Sequence, residues 1–278
     1  MNLEVIRRHP IKLYFILAFA ISWIWWSGLF IIAPNGQFDN IWVMIYGLLG
    51  SLGPSIAGII MYKIEDGKEG LSKLYSRLKI WNVDIKWYGI AIFITPIAFI
   101  PILMILSLIV SPVFTPIFLV STDLVGLIIL GLIIGLIAGI FEEFGWSGFA
   151  TPRLQVTYGA LRTGILVGVL WSIWHFLPDA WGRSRDYATL YIPFLIMFVL
   201  ELTAYRMIIV WTYNKSGGSL FLAIIMHACF SGGQAIIVPS LSPIDYLLAY
   251  TIFTIVLWII VIVAYLKYGI NQEETVVD

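Results

Sequence analysis

Apolar runs of near-bilayer length, separated by short polar or basic stretches, alternate along the whole chain. Eight of them approach the roughly 20 residues that a helix needs to cross the hydrocarbon core. They fall at 13–32, 41–62, 87–110, 124–153, 161–177, 190–213, 217–238 and 246–268. The pattern predicts an all-α polytopic membrane protein with about eight transmembrane helices. Pro54, Pro96 and Pro101 are expected to kink the second and third. Residues 70–79 alternate Leu and Tyr with Lys and Arg at helical spacing, which predicts a short amphipathic helix at the lipid interface. One feature breaks the pattern. Eighteen uncharged residues, 124–141, run straight into the adjacent pair Glu142 and Glu143.

Composition supports the same class. Of 278 residues, 60% are hydrophobic and 12% charged, and the mean hydropathy is +0.96, which excludes an ordinary soluble domain. The formal net charge is zero, so its total says nothing about partners. The lipid bilayer is the expected surrounding, and nucleic acid is not an expected partner. The distribution of charge is more telling. With the N-terminus inside, fourteen of the sixteen Lys and Arg fall in inside segments, and only Arg183 and Arg185 fall outside. That asymmetry predicts cytoplasmic N- and C-termini; the plasma membrane of a prokaryote is the expected location. Arg7, Arg8 and Lys12 precede the first run, which is long enough to span and has no small-x-small cleavage pattern after it. It reads as a retained helix rather than a signal peptide. The lone Cys229 cannot form an internal disulfide and is expected to pack as a small residue. Without low-complexity tracts or a fixed-period repeat, 1–278 reads as a single integral membrane domain.

Carboxylates at membrane depth are costly and tend to mark functional sites. Counting from the cytoplasmic anchors Arg153, Arg162 and Lys215 gives the depth of the polar residues. Glu143 lies roughly 15 Å, His175 roughly 20 Å and His227 roughly 18 Å along their helices. Three helices therefore bring these residues to one layer, as an intramembrane active-site cavity would require. Gly131, Gly135 and Gly139 continue into Glu143 and Ser147 at four-residue steps, the small-residue stripe of close helix contact. Glu143 should face neighbouring helices, and Glu142, about 100° further round, a cavity.

A carboxylate in a dry pocket can act as a general base on water, and two adjacent ones titrate as a coupled pair. Neutral histidines can orient that water or donate to a developing oxyanion. Together they suit peptide-bond hydrolysis. Three other readings stand beside it. The polar groups could serve only to hold helices together. They could relay protons in a transporter, although no inverted repeat or paired broken helix is visible. Glu142, His175 and His227 could also bind a divalent metal such as zinc, although the chain lacks H-E-x-x-H. A reaction with no required cofactor is the favoured expectation.

At these residues the chain strongly resembles the CAAX protease and bacteriocin-processing family of intramembrane endopeptidases, which includes the eukaryotic type II CAAX prenyl endopeptidase. The family's double-glutamate motif reads here as Glu142-Glu143-Phe144-Gly145-Trp146-Ser147. Its Phe-x-x-x-His motif falls on Trp171 to His175, and its His-x-x-x-Asn motif on His227 to Ser231. The resemblance covers about 124–231, the family core. It implies that Glu142 activates water with help from His175, and that His227 and Ser231 stabilise the oxyanion. Glu143 completes the set of catalytic candidates. The implied substrate is a peptide or a membrane protein, including a prenylated one. Two departures carry weight: Ser147 stands where the motif has arginine, and Ser231 where it has asparagine. Serine can donate a hydrogen bond but cannot replace a charge, so Glu143 loses its expected ion-pair partner at i+4. Arg206, close to Glu143 in depth, could supply that charge from another helix. It could equally snorkel to the interface or pair with Glu201. A catalytically weak member that binds or regulates is therefore the alternative to an active protease.

Overall fold

The computed structural model describes residues 9–38 and 40–268, and among them there are helices and turns but no strand. Arg7 and Arg8, counted above among the inside cations, lie outside the described residues. Helix α1 (Pro10–Ser27) starts with proline in its first turn, where a missing N–H costs nothing. Short α2 (Leu29–Ile32) follows it. Asn40 caps α3 (Ile41–Gly50) by accepting from the N–H groups of Trp42 and Val43. The kink expected at Pro54 is a full break: α3 ends before Ser51, and Pro54 sits in the first turn of α4 (Gly53–Glu65). The expected amphipathic helix is α5 (Gly67–Leu78), which buries Gly70, Leu74 and Arg77 and exposes Lys73 and Tyr75. Pro96 and Pro101 lie inside one continuous α6 (Ile85–Ile109). After α7 (Ile117–Val120) come α8 (Leu124–Gly145), α9 (Thr151–Trp174), α10 (Phe176–Tyr187), α11 (Tyr191–Lys215), α12 (Leu220–Ile237) and α13 (Pro243–Tyr268).

Seven stretches of these described residues are long and apolar enough to cross a bilayer. One of them, Leu124–Trp174, has 51 residues. A straight helix of that length would run about 77 Å, over twice the hydrocarbon thickness of about 30 Å. It is not straight. Gly159 has φ 71° and ψ 170°, a conformation open to glycine and strained for other residues. The indole Nε1 of Trp171 then reaches back to Glu142 Oε2 at 2.7 Å. On a straight helix those residues would lie about 43 Å apart. The stretch doubles back, giving the separate passes expected at 124–153 and 161–177, so eight is an approximate count of crossings.

Missing side chains bring the key helices together. A Cβ on Gly139 of α8 would lie 2.6 Å from the Ile224 carbonyl oxygen of α12 and 3.3 Å from the Ala228 nitrogen. A Cβ on Gly168 of α9 would lie 2.6 Å from Thr203 Cα of α11. These are the close backbone approaches that drive helix association where no hydrophobic gain separates helix from lipid. The predicted glycine stripe of α8 is thus the seam with α12. At one end of the bundle Arg153 pairs with Glu65 at 2.8 Å and stacks over Phe149 at 3.8 Å. Outward faces carry exposed Ile97, Leu108, Leu132 and Ile255, as lipid contact requires.

Candidate active site

Glu142 and Glu143 occupy the last turn of α8. The chain then widens into a π-helical turn, Trp146–Ala150, before α9 begins. Thr151 Oγ1 donates to the Trp146 carbonyl at 2.7 Å, supplying a partner in the turn where the regular ladder is displaced. Single π turns of this kind recur at functional sites because they redirect side chains without ending the helix. Tyr62 OH and the Arg77 guanidinium both donate to the Gly148 carbonyl, at 2.7 and 3.3 Å, tying α4 and α5 to this turn.

The two glutamates are both buried but differently held. Glu143 is fully buried and accepts from four groups on three segments. Arg206 of α11 reaches both its oxygens, Nη2 to Oε1 at 2.8 Å and Nη1 to Oε2 at 2.9 Å. His227 Nδ1 of α12 lies 2.7 Å from Oε1, and the Ser147 hydroxyl donates to Oε2. Arg206 is itself 0% exposed and its guanidinium lies over the Trp171 ring at 4.5 Å. The motif serine therefore does not leave Glu143 without a counter-charge, as the sequence alone suggested. Arg206 neither snorkels nor pairs with Glu201, whose Oε1 is instead 3.4 Å from Gln234 Nε2. It is an intramembrane residue rather than an inside-loop cation.

Glu142 accepts two indole N–H bonds on one oxygen, Oε2: from Trp171 at 2.7 Å and from Trp146 at 3.2 Å. Its other oxygen, Oε1, faces His227 Nε2 across 3.9 Å. The Glu143 carboxylate can only accept, so Nδ1 is the nitrogen that donates to it, and Nε2 is left facing Glu142. The buried cluster thus contains two carboxylates, one guanidinium and one imidazole.

His175 and Ser231 are the remaining candidates. The His175 Nδ1 is 3.0 Å from the Trp171 carbonyl one turn back, and its ring packs edge-on against Trp174 and Phe198. Among the described residues it makes no hydrogen bond to either glutamate. Trp171 contacts both histidine rings, with centroids 5.9 Å from His175 and 5.0 Å from His227. Ser231 is half-buried, one turn after His227 on the same face of α12. The two tryptophan donors were not singled out by sequence reasoning. Trp146 at i+4 from Glu142 was a usable signal, and so was a Trp with an N–H where the second motif has Phe.

A zinc site of the catalytic kind needs three protein ligands. Among the described residues, no three His, Cys, Asp or Glu side chains are grouped so that they could hold a metal ion. Glu142 Oε1 and His227 Nε2 face one another, while His227 Nδ1 and Glu142 Oε2 are already engaged. The donor set falls one short.

The bundle of membrane helices with a buried Glu–Glu–His cluster defines a class: an integral membrane protein with an intramembrane polar site. Residues 124–232 match the family model described as Type II CAAX prenyl endopeptidase Rce1-like. It is also similar to a CAAX prenyl protease 2 of Methanococcus maripaludis, 29% identical over 235 residues, covering 81% of this chain and 84% of the relative. The fold, the matched segment and this relative support a membrane-embedded endopeptidase that acts on peptide or protein substrates.

Proposed function

We propose that Glu142 activates a water for peptide-bond hydrolysis, with His227 as the second group that holds it. The observation that carries this reading is the 3.9 Å gap between Glu142 Oε1 and His227 Nε2. That separation is too long for a direct hydrogen bond and suits a water bridging two acceptors. Both groups are anchored from behind, Glu142 by two indoles and His227 by Glu143. Glu142 takes the water proton as the oxygen attacks the substrate carbonyl carbon. The proton then passes to the leaving amide nitrogen, releasing a carboxylic acid and an amine. Ser231 and the Nε2 of His175 are the proposed donors to the oxyanion. Two facing donors are too few for a three-ligand metal, so the reaction we propose needs no metal.

We place the cluster within reach of the cytoplasmic side, where Arg153, Arg162 and Lys215 anchor the helices. We also propose a lipidated peptide as substrate. An apolar groove of about 430 Å³ runs between α6, α8 and α12 and is lined by Leu136, Ala228 and Cys229, the last two directly following His227. Its lining matches a hydrocarbon chain. A prenylated peptide should be cleaved with a lower KM than its unprenylated twin. Equal values would remove this part of the reading.

The serines at 147 and 231 keep a second reading alive, a member that binds without cutting. Cleavage of a quenched peptide library by detergent-purified protein separates the two. Glu142→Gln should abolish turnover while leaving the protein folded. No turnover by well-folded wild type would favour the binding reading.

A further inference from the structure

We propose that Arg206 is a positioning residue for this site: from α11 it supplies the charge that the residue at 147 lacks, and through Glu143 it sets the orientation of His227. The proposal rests on the reading of Glu142 and His227 given above. A fully buried carboxylate without an opposite charge is strongly unfavourable. The position that could answer it on its own helix, i+4, carries Ser147, which brings a hydroxyl and no charge. The guanidinium of Arg206 meets both Glu143 oxygens in a two-bond fork and lies 3.4 Å from the Ser147 hydroxyl. The short side chain at 147 and the long one at 206 are complementary. An arginine at 147 would compete for the same carboxylate and the same space.

Two further features admit Arg206. Gly168 lets α9 and α11 approach, since a Cβ there would stand 3.2 Å from Arg206 Cβ. Trp171 offers its ring face to the guanidinium at 4.5 Å. Trp171 simultaneously donates to Glu142. One side chain thus packs on the cation and orients the proposed base. With its charge matched, Glu143 acts as a fixed acceptor for His227 Nδ1. That contact turns Nε2 toward Glu142. The chain of contacts runs from Arg206 through Glu143 to His227, and ends at the gap where the water is proposed to sit.

The test moves the arginine. Wild type, Arg206→Ala, Arg206→Lys and the transposed double variant Ser147→Arg/Arg206→Ala are purified in detergent. Each is assayed for cleavage and for the nitrogen-15 spectrum of its histidines, of which the chain has three. Arg206→Ala should lose the signal of Nδ1-protonated His227 and lower kcat by about 10–100-fold, the range of coupling within one buried network. KM should change far less. The transposed variant should restore the signal and most of kcat, and Arg206→Lys should fall between. If Arg206→Ala does not fold, the transposed and lysine variants carry the test. An unchanged His227 signal in Arg206→Ala overturns the proposal. So does a folded transposed variant that recovers neither signal nor turnover. The histidine spectra decide the matter even if wild type cleaves nothing. Failure of the hydrolytic reading would appear separately, as absent or Glu142-independent cleavage.

Discussion

Two neighbouring glutamates should respond to the same substitution with different losses of stability. Glu143→Gln removes the anion from the buried pair with Arg206 and leaves the guanidinium in a site with no exposure. Breaking a buried pair from one side costs about 3–5 kcal/mol, mostly the penalty of the orphaned charge. Glu142→Gln faces no cation. Its amide oxygen can still accept the Trp171 and Trp146 N–H bonds, and the loss is confined to charge assistance in those two bonds, about 1 kcal/mol each. At roughly 2–4 °C per kcal/mol for chains approaching this size, Glu143→Gln should lower Tm by about 6–20 °C. Glu142→Gln should lower it by about 8 °C at most. Thermal unfolding in one detergent, followed by intrinsic tryptophan fluorescence, measures both. Cleavage measured below either Tm should be absent in Glu142→Gln. Equal melting temperatures, or a less stable Glu142→Gln, would refute the assignment of Glu143 as the structural half of the pair.

Trp171→Phe restores the motif phenylalanine and deletes the 2.7 Å donor to Glu142. Losing one hydrogen bond to a charged group predicts a fall in kcat/KM of about 10–100-fold, read in the cleavage assay. Gly139→Val forces a branched side chain against the Ile224 carbonyl in the α8–α12 seam. Overpacking of that kind costs about 1–3 kcal/mol, and the displaced seam should reduce turnover beyond what the melting temperature explains. Ser231→Ala removes the proposed oxyanion donor and should lower kcat by about 100–1000-fold with KM little changed. An unchanged kcat would move that role away from Ser231.

The legible part of this protein was the part set along single helices. Run lengths placed the passes, including the separation of 124–153 from 161–177 that Gly159 produces. The Gly131–Gly135–Gly139 stripe named the packed face of α8 before its partner was known. Rise per residue placed Glu143, His175, His227 and Arg206 near one depth. What depth could not supply was rotation. Whether Arg206 would meet Glu143, Glu201 or the interface depended on how α11 turns against α8. The sequence left all three open. The indole bonds to Glu142 depended on the doubling back of α9 and on a π turn that no local pattern announces. His175 shows the same limit from the other side. Its ring stands against Trp171, yet its Nδ1 is committed to the Trp171 carbonyl, and among the described residues it contributes no bond to the glutamates.

The central claim, a glutamate-activated water without a metal, is tested most directly by peptide cleavage with EDTA-treated protein, run beside untreated wild type and Glu142→Gln. The account predicts full turnover after EDTA treatment and none in the folded Glu142→Gln variant. Turnover lost on EDTA treatment and restored by added zinc would contradict it.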